Sequence, residues 1–294
     1  MRTWMAALSA LVLLALAGCV APVGASGPPI AAGATGTLSL EGRDFRLAVP
    51  PGYDPSTPAG LVVGLHGYGS DASSLDDYWS LTATATGRGL LVALPEGTRD
   101  SQGRQFWNAT NACCDFDGSG VDDSAHLSAV IGLVGQHYAV DTARVFVVGH
   151  SNGGFMAHRL ACEHADQVTG IVSLAGPLSI DPDACRPSEP VSVLQVHGTA
   201  DDTVAFAGTA QYPSATGTVQ RWAGLDGCAA KGGAGDALDL DPELPGAETT
   251  TTTWPDCRGG SAVALWTITD GGHSPVLSPD FFGRALDWLD AHAR

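Results

Sequence analysis

The chain has 294 residues, a formal net charge of −17 at neutral pH and a hydrophobic fraction of 44%. This hydrophobic fraction is typical of a packed globular protein and excludes a disordered chain. The acidic balance, without any basic cluster, excludes a nucleic-acid partner because phosphate backbones would be repelled. The length requires no more than one sizeable domain.

Residues 1–18 are predicted to be a lipoprotein signal peptide rather than a membrane span. Arg2 precedes a short apolar run, and this run ends in Leu-Ala-Gly directly before Cys19. The ending resembles a bacterial lipobox, which implies cleavage before Cys19 and lipidation of its thiol. The only membrane contact would then be a lipid anchor on the outer face of a membrane. The alternative is an ordinary signal peptide cut near Ala21 or Ala25, with Cys19 incidental.

Residues 19–36 are rich in Ala, Gly, Pro and Ser, and this composition predicts a flexible tether. The folded domain is then expected to occupy residues 37–294. Residues 37–50 alternate apolar and polar side chains, a pattern that predicts an antiparallel strand pair at a sheet edge.

Six short apolar runs predict strands that are buried on both faces, as in a parallel sheet. They are residues 61–65, 90–94, 145–148, 171–174, 191–196 and 263–266. Helical patterns cover residues 75–86, 124–138, 153–163, 218–225 and 280–293. This alternation predicts an α/β fold with a mostly parallel twisted sheet and helices on both faces. Residues 230–253, rich in Gly, Asp and Thr, are predicted to be a surface insertion.

The chain has seven cysteines, and six remain when Cys19 is set aside. An even number in an exported chain predicts disulfides, and six cysteines allow fifteen pairings. Chain position favours Cys162 with Cys185 and Cys228 with Cys257, which would leave the adjacent Cys113 and Cys114 as a third pair. The cysteine spacing predicts no zinc site, and we expect neither a metal nor a cofactor.

The segment Gly149-His150-Ser151-Asn152-Gly153 matches the pattern G-x-S-x-G between a predicted strand and a predicted helix. Glycines on either side of a serine allow the sharp turn that presents its hydroxyl at the top of a sheet. This context predicts that Ser151 is a nucleophile on an α/β-hydrolase fold. The alternative is a glycine-rich turn with a structural serine.

A serine hydroxyl needs a base, and that base needs a carboxylate to orient it. In this fold both follow the serine, on loops after later strands. His273 lies in such a loop, whereas His292 is two residues from the chain end, so His273 is the predicted base. Asp201 is the predicted orienting acid; Asp202 is the competing choice, with a solvated carboxylate as its alternative role.

Acyl transfer also needs N–H donors for the oxyanion, and the backbone amides of Asn152 and Tyr68 occupy the expected positions. The Tyr68 ring could also line the acyl pocket or pack. Trp107 lies on a loop at the same end of the sheet, where it could stack on a substrate ring or pack in the core. Three further histidines at strand ends are expected to brace loops: His66, His150 and His197.

The ordered motifs of the chain resemble bacterial esterases described as polyhydroxybutyrate depolymerase-like and feruloyl esterase-like. The motifs are residues 65–69, Asp122-Asp123, residues 149–154, residues 197–204 and Gly271-Gly272-His273. The resemblance covers residues 37–294 and implies a triad of Ser151, Asp201 and His273. It also implies the Cys162–Cys185 and Cys228–Cys257 pairings.

Two positions depart from the family pattern. Many members have Cys where this chain has Tyr68, and many follow the catalytic histidine with Trp-Pro-Gly, where this chain has Ser274 and then Pro-Val. These positions face the substrate in the family, so the departures affect the ester class rather than the triad.

The sequence therefore predicts a secreted serine carboxylic ester hydrolase that acts through an acyl-enzyme. The expected substrates are feruloyl-type esters or hydroxyalkanoate oligomers. The alternatives are a serine peptidase on the same fold, which would cleave amides, and a catalytically silent surface-binding protein, which would have lost part of the triad. The sequence leaves the oligomeric state undecided.

Overall fold

The structure, a computed structural model, describes residues 28–294. The predicted signal peptide, Cys19 and the first part of the predicted tether lie outside the described residues. Within residues 28–294, no helix is both long and apolar enough to cross a bilayer.

The ordered domain begins earlier than the sequence predicts, so the boundary of the tether at residue 36 is wrong. Ile30 is buried, and its N–H donates to the Tyr138 hydroxyl over 2.9 Å. The same hydroxyl donates back to the Ile30 carbonyl. One apolar side chain among small residues does not stand out in composition, yet it fills a site in the core.

The antiparallel pair predicted at the sheet edge is present as β1 (Thr35–Leu40) and β2 (Arg43–Ala48). Glu41 and Gly42 connect the strands, and both have positive φ angles, 53° and 80°. A two-residue hairpin loop of this kind matches the right-handed twist of its strands.

The remaining strands are the six predicted from apolar runs and four that were not predicted. They are β3 (Ala59–Leu65), β4 (Leu91–Pro95), β5 (Thr98–Arg99), β6 (Gln105–Phe106), β7 (Val140–His150), β8 (Gly170–Leu174), β9 (Ser192–Gly198), β10 (Gly233–Ala234), β11 (Thr249–Trp254) and β12 (Val263–Ile268). Within residues 28–294, ten of the twelve strands form one sheet in the order β1-β2-β4-β3-β7-β8-β9-β12-β11-β10, and β5 pairs with β6. The six strands from β4 to β12 in that order are parallel, as predicted, and the outer pairings are antiparallel.

Helices cover both faces of the sheet. They are α1 (Ala72–Trp79), α2 (Leu81–Gly87), α3 (Asp123–His137), α4 (Asn152–Glu163), α5 (Ala215–Leu225) and α6 (Phe281–Ala291). Helices α3, α4 and α5 pack in one core with alternate strand residues such as Val63, and α1, α2 and α6 pack in the other with residues such as Val62. Successive strand side chains point to opposite faces, so one apolar run supplies both cores.

The single helix predicted over residues 75–86 is instead two helices. Ser80 separates them in a left-handed conformation with φ of 49°. The Asp76 carboxylate accepts hydrogen bonds from the Thr82 N–H and hydroxyl, so it supplies the acceptors that the start of α2 needs.

The predicted surface insertion over residues 230–253 is only partly an insertion. Its last part belongs to β11, which pairs with β12 and has a run of five threonines. Threonine is β-branched and favours strands, so this polar run extends the sheet at its edge.

The part of the chain that the structure describes contains three disulfides, between Cys113 and Cys114, between Cys162 and Cys185, and between Cys228 and Cys257. The second joins α4 to the loop before β9, and the third joins the two ends of the segment that contains β10 and β11.

Candidate active site

Ser151 lies at the sharp turn between β7 and α4. Its φ and ψ are 55° and −119°, a sparsely populated conformation for a residue with a side chain. A Cβ on Gly149 would overlap the main chain of Gly153, and a Cβ on Gly153 would overlap the Leu65 carbonyl. The Ser151 N–H donates to the Leu174 carbonyl over 2.8 Å. Both glycines are therefore required by close main-chain approach, and the turn holds the hydroxyl at the carboxyl edge of the sheet.

The loops after β9 and β12 bring Asp201 and His273 to the same edge. These two strands are parallel neighbours, and the Ala200 N–H donates to the Gly271 carbonyl over 2.9 Å, which ties the loops together. His273 Nε2 lies 2.9 Å from Ser151 Oγ, and His273 Nδ1 lies 2.8 Å from Asp201 Oδ2. The three side chains named by the sequence therefore form one hydrogen-bonded line.

The Asp201 carboxylate is buried and surrounded by donors. Oδ1 accepts from the Thr203 N–H over 2.9 Å and from the Val204 N–H over 2.8 Å. Burial alone would raise the pKa of Asp201, but hydrogen bonds from His197, His273 and Val204 outweigh it and lower the pKa well below its ordinary value. Asp201 is therefore an anion throughout the neutral range, as an orienting acid must be.

The neighbouring carboxylate does not contact the imidazole. Asp202 is exposed, and its Oδ1 accepts only from the Thr203 hydroxyl over 3.1 Å among the described residues. The loop geometry therefore separates the two adjacent aspartates that compete in the sequence.

The two amides predicted to bind an oxyanion lie beside the serine. Asn152 is the first residue of α4, and the Tyr68 loop approaches so closely that a Cβ on Gly67 would lie 3.5 Å from Ser151 Cβ. Neither the Asn152 N–H nor the Tyr68 N–H has a hydrogen-bond acceptor within residues 28–294. The first N–H groups of a helix lack partners within it and point outward, so Asn152 is suited to an anion.

An open cleft of about 490 Å³ lies over the serine. Its lining residues are Gly67, Tyr68, Ser70, Ser74, Tyr78, His150, Ser151, Thr203, His273 and Ser274. The Tyr68 ring packs edge-on against the exposed Phe116, and its hydroxyl donates to Asp100 over 2.7 Å. The Tyr68 ring therefore lines the cleft as well as packing, which unites the two roles expected for it.

Trp107 does not face the cleft, so its predicted role in stacking on substrate is wrong. The side chain is 0% exposed, and its indole N–H donates to the His66 carbonyl over 3.0 Å. The loop places this large apolar ring in the core, because burying the ring stabilises the fold more than exposing it to solvent would.

Three comparisons with known proteins agree with this architecture. A model of the family described as Phospholipase/Carboxylesterase matches residues 113–220. The chain is 25% identical over 244 residues to feruloyl esterase B of Piromyces equi, covering 79% of this chain and 42% of that protein. It is 31% identical over 179 residues to feruloyl esterase C of Emericella nidulans, covering 59% of this chain and 60% of that protein.

The acetyl xylan esterase from Aspergillus awamori has the same fold, with a TM-score of 0.65 and 17% sequence identity, over 88% of this chain and all of that one. The chain has the α/β-hydrolase fold. The chain matches 42% and 60% of the lengths of these two curated relatives.

The three histidines expected to brace loops all contact the main chain. The Gly97 N–H donates to His66 Nε2 over 3.0 Å, and burial lowers the pKa of His66. Burial lowers the pKa of His150 to about 4, so the ring is neutral, and its Nε2 lies 2.9 Å from the His273 carbonyl. His197 Nε2 lies 2.8 Å from the Val204 carbonyl.

His197 also makes a contact that the loop-bracing interpretation did not include. Its Nε2 lies 3.2 Å from Asp201 Oδ2, the oxygen that faces His273. The spacing of four residues between the two side chains gave no signal in sequence, because they belong to a strand end and a loop rather than to a helix.

The sequence did not predict Tyr78, which lines the cleft, or the structural role of Asp123 away from the cleft. Tyr78 lines the cleft, and its hydroxyl donates to the carbonyl of Pro275, two residues after the base, over 2.7 Å. Asp123 is buried, forms a 2.7 Å ion pair with Arg43, and accepts the Asn108 N–H over 2.7 Å, whereas Asp122 caps α3. Of these two adjacent aspartates, only Asp122 caps α3.

Proposed function

We propose that this α/β-hydrolase is a serine carboxylic ester hydrolase. The observation that carries the proposal is the line of contacts from Ser151 Oγ to His273 Nε2, 2.9 Å, and from His273 Nδ1 to Asp201 Oδ2, 2.8 Å. These distances are those of a nucleophile, its general base and the acid that orients the base.

The proposed reaction has two halves. Ser151 Oγ bonds to the ester carbonyl carbon while His273 Nε2 takes the hydroxyl proton. The carbonyl oxygen becomes an anion and binds the unpaired amides of Asn152 and Tyr68. The carbon–oxygen bond to the alcohol then breaks, and His273 gives its proton to the leaving alcohol. Water attacks the acyl-enzyme in the same way and releases the acid.

The ester class that we propose is that of feruloyl-type esters, with hydroxyalkanoate oligomers as the second candidate. Two of the relatives are named feruloyl esterases, which supports the first class. The cleft is open and has two tyrosines in its lining, so it offers aromatic surface to a planar acyl group.

We also propose that the protein is exported and bound to a membrane through lipid on Cys19. Three disulfides support an oxidising compartment. Mass spectrometry of the mature protein tests the anchor: a diacylated Cys19 supports it, and an N-terminus near Ala21 or Ala25 contradicts it.

The activity is tested by a substrate panel measured with the wild type and with Ser151→Ala. The panel contains methyl ferulate, short-chain nitrophenyl esters, hydroxybutyrate oligomers and a peptide amide. We expect ester turnover that is lost in Ser151→Ala. Ester turnover that persists in the variant contradicts the mechanism, and amide cleavage faster than ester cleavage makes the protein a peptidase. No turnover of any substrate supports a silent binding protein.

A further inference from the structure

Four buried polar side chains form contacts that lead to Asp201, and none of them lines the cleft. Gln195 and His197 project from β9 two residues apart, hence on one face of the strand. His158 comes from α4, the helix that begins after Ser151, and Trp222 comes from α5. Each of the four is at most 1% exposed, so water does not satisfy them.

These side chains form a continuous series of contacts. Trp222 Nε1 lies 2.9 Å from His158 Nδ1, and His158 Nε2 lies 2.9 Å from Gln195 Oε1. Gln195 Nε2 lies 3.5 Å from His197 Nδ1 and also 3.5 Å from the Val196 carbonyl. His197 Nε2 faces the Val204 carbonyl at 2.8 Å and Asp201 Oδ2 at 3.2 Å.

The direction of every hydrogen bond follows from the two ends of the series. An indole N–H can only donate, so His158 Nδ1 is an acceptor. Burial lowers the pKa of His158 to about 4, so the ring is neutral and its one proton is on Nε2, where it donates to Gln195. At the other end, a carbonyl can only accept, so Val204 requires the proton of His197 on Nε2.

The amide of Gln195 then has only one orientation that satisfies both histidines. Its oxygen accepts from His158, and its NH₂ group faces Nδ1 of His197. The His158 end fixes this orientation, and an NH₂ group facing Nδ1 requires that nitrogen to be an acceptor. The series is therefore polarised in one direction, from Trp222 toward Asp201.

Two polarised series meet on a single oxygen. Ser151 donates to His273 and His273 donates to Asp201 Oδ2, while His197 Nε2–H is shared between the Val204 carbonyl and the same Oδ2. A second donor on Oδ2 stabilises the anion and restricts rotation of the carboxylate.

We propose that Trp222, His158, Gln195 and His197 form a positioning relay that holds Asp201 ionised and aimed at His273. The relay rests on the proposed function, because it acts through the Asp201–His273 pair. None of the four touches the substrate cleft, so all four are positioning residues.

Variants of His197 provide the sharpest test. His197→Phe removes the donor to Asp201 and keeps a buried ring, and we expect kcat to fall roughly 10-fold with KM unchanged. His197→Gln places an N–H near the position of Nε2, and we expect it to restore kcat to within about threefold of the wild type. Trp222→Phe, at the far end, is expected to lower kcat by only about threefold.

His126→Phe is the matched control, because His126 is also a buried histidine but lies on α3 outside the relay. We expect its kcat to equal that of the wild type. Equal losses in His197→Phe and His126→Phe, or no recovery in His197→Gln, overturn the relay in favour of a general packing effect.

Two further measurements separate the relay from the ester hydrolase proposal. The rate at which a fluorophosphonate labels Ser151 reports activation of the hydroxyl without any ester substrate, and we expect it to fall in parallel with kcat. Nitrogen NMR of the histidine rings in the wild type needs no variant and no activity. We expect His158 and His197 to be protonated on Nε2, and a proton on Nδ1 of His197 overturns the relay even if ester turnover is fast.

Discussion

The side chain of Asn152 and the main chain of Trp107 exchange two hydrogen bonds. The Trp107 N–H donates to Asn152 Oδ1 over 2.7 Å, and Asn152 Nδ2 donates to the Trp107 carbonyl over 2.9 Å. The residue after the nucleophile thus fixes a loop that begins 45 positions earlier in the chain, and both partners are fully buried. The side chain has a structural role, and the amide of the same residue is left for the oxyanion.

Substituting Asn152 with Ala is therefore expected to destabilise the fold. The change leaves the buried Trp107 N–H without a partner and leaves its carbonyl with only the 3.4 Å contact from the Cys114 N–H, at a cost of about 1–3 kcal/mol in the free energy of unfolding. Urea unfolding measures this loss. Asn111→Ala, on an exposed position of the same loop, is the control and should change stability by less than about 0.5 kcal/mol. An equal loss of unfolding free energy in both variants contradicts a stabilising role for the hydrogen bonds between Asn152 and Trp107.

Asp201 and Asp202 provide a matched pair of variants at adjacent positions. Asp201→Asn should lower kcat by about 10⁴-fold, because an amide no longer orients the His273 tautomer that accepts the serine proton. Asp202→Asn should retain kcat within about twofold, since its carboxylate is exposed. Steady-state hydrolysis of a nitrophenyl ester distinguishes them. A large fall in kcat in Asp202→Asn with little change in Asp201→Asn would make Asp202 the acid that orients His273.

The disulfide between Cys162 and Cys185 closes a loop over a separation of 23 residues. Replacing both cysteines with Ala should lower the free energy of unfolding by about 3 kcal/mol, because the unfolded chain regains the freedom of that loop. Thermal and urea unfolding of the variant measure the loss. An unchanged urea midpoint would show that this bridge does not constrain the unfolded chain.

Asp226 should give the fold a distinctive pH dependence. Burial raises its pKa to about 6, despite the Ser261 hydroxyl bond that acts in the opposite direction. Its Oδ1 is buried and has no partner among residues 28–294. Because the folded pKa lies above the unfolded value, the folded state binds more protons, and Asp226 favours folding at low pH and disfavours it as the pH rises from about 4 to 6.

We therefore expect Asp226→Asn to stabilise the protein above pH 6 by up to about 3 kcal/mol relative to the wild type, with the difference vanishing near pH 4. Urea unfolding midpoints of both proteins across this pH range measure the difference in stability. The other carboxylates are common to both proteins, so their contributions cancel in this difference. A difference independent of pH would show that Asp226 ionises normally in the folded state.

Much of the fold could be predicted because local patterns match local structure. The six apolar runs became the six parallel strands, since a strand buried on both faces needs no polar position. The α/β-hydrolase fold and the edge hairpin are confirmed. The start of the domain, the break at Ser80 and the strand β11 were not predicted, because each depends on a distant partner or on a side-chain cap.

The residues at the site divide in the same way. Ser151 could be named from sequence because a strained turn with close main-chain approach requires glycine at Gly149 and Gly153, and this requirement is local. His273 followed from the order of strands and loops, and the family resemblance favoured Asp201 over Asp202. Trp107 could not be placed, since the same loop position permits a ring that faces the cleft or one that faces the core.

The sequence by itself determined the class of sheet, the serine turn and the two loops that supply its partners, because these depend on residue types at short spacing. Only the tertiary structure decided which way Trp107 faces, that Asp201 rather than Asp202 meets His273, and that His197 shares an Asp201 oxygen with it. Those outcomes depend on burial and on hydrogen bonds between residues far apart in the chain. A sequence pattern permits several side-chain orientations equally, and packing selects one of them.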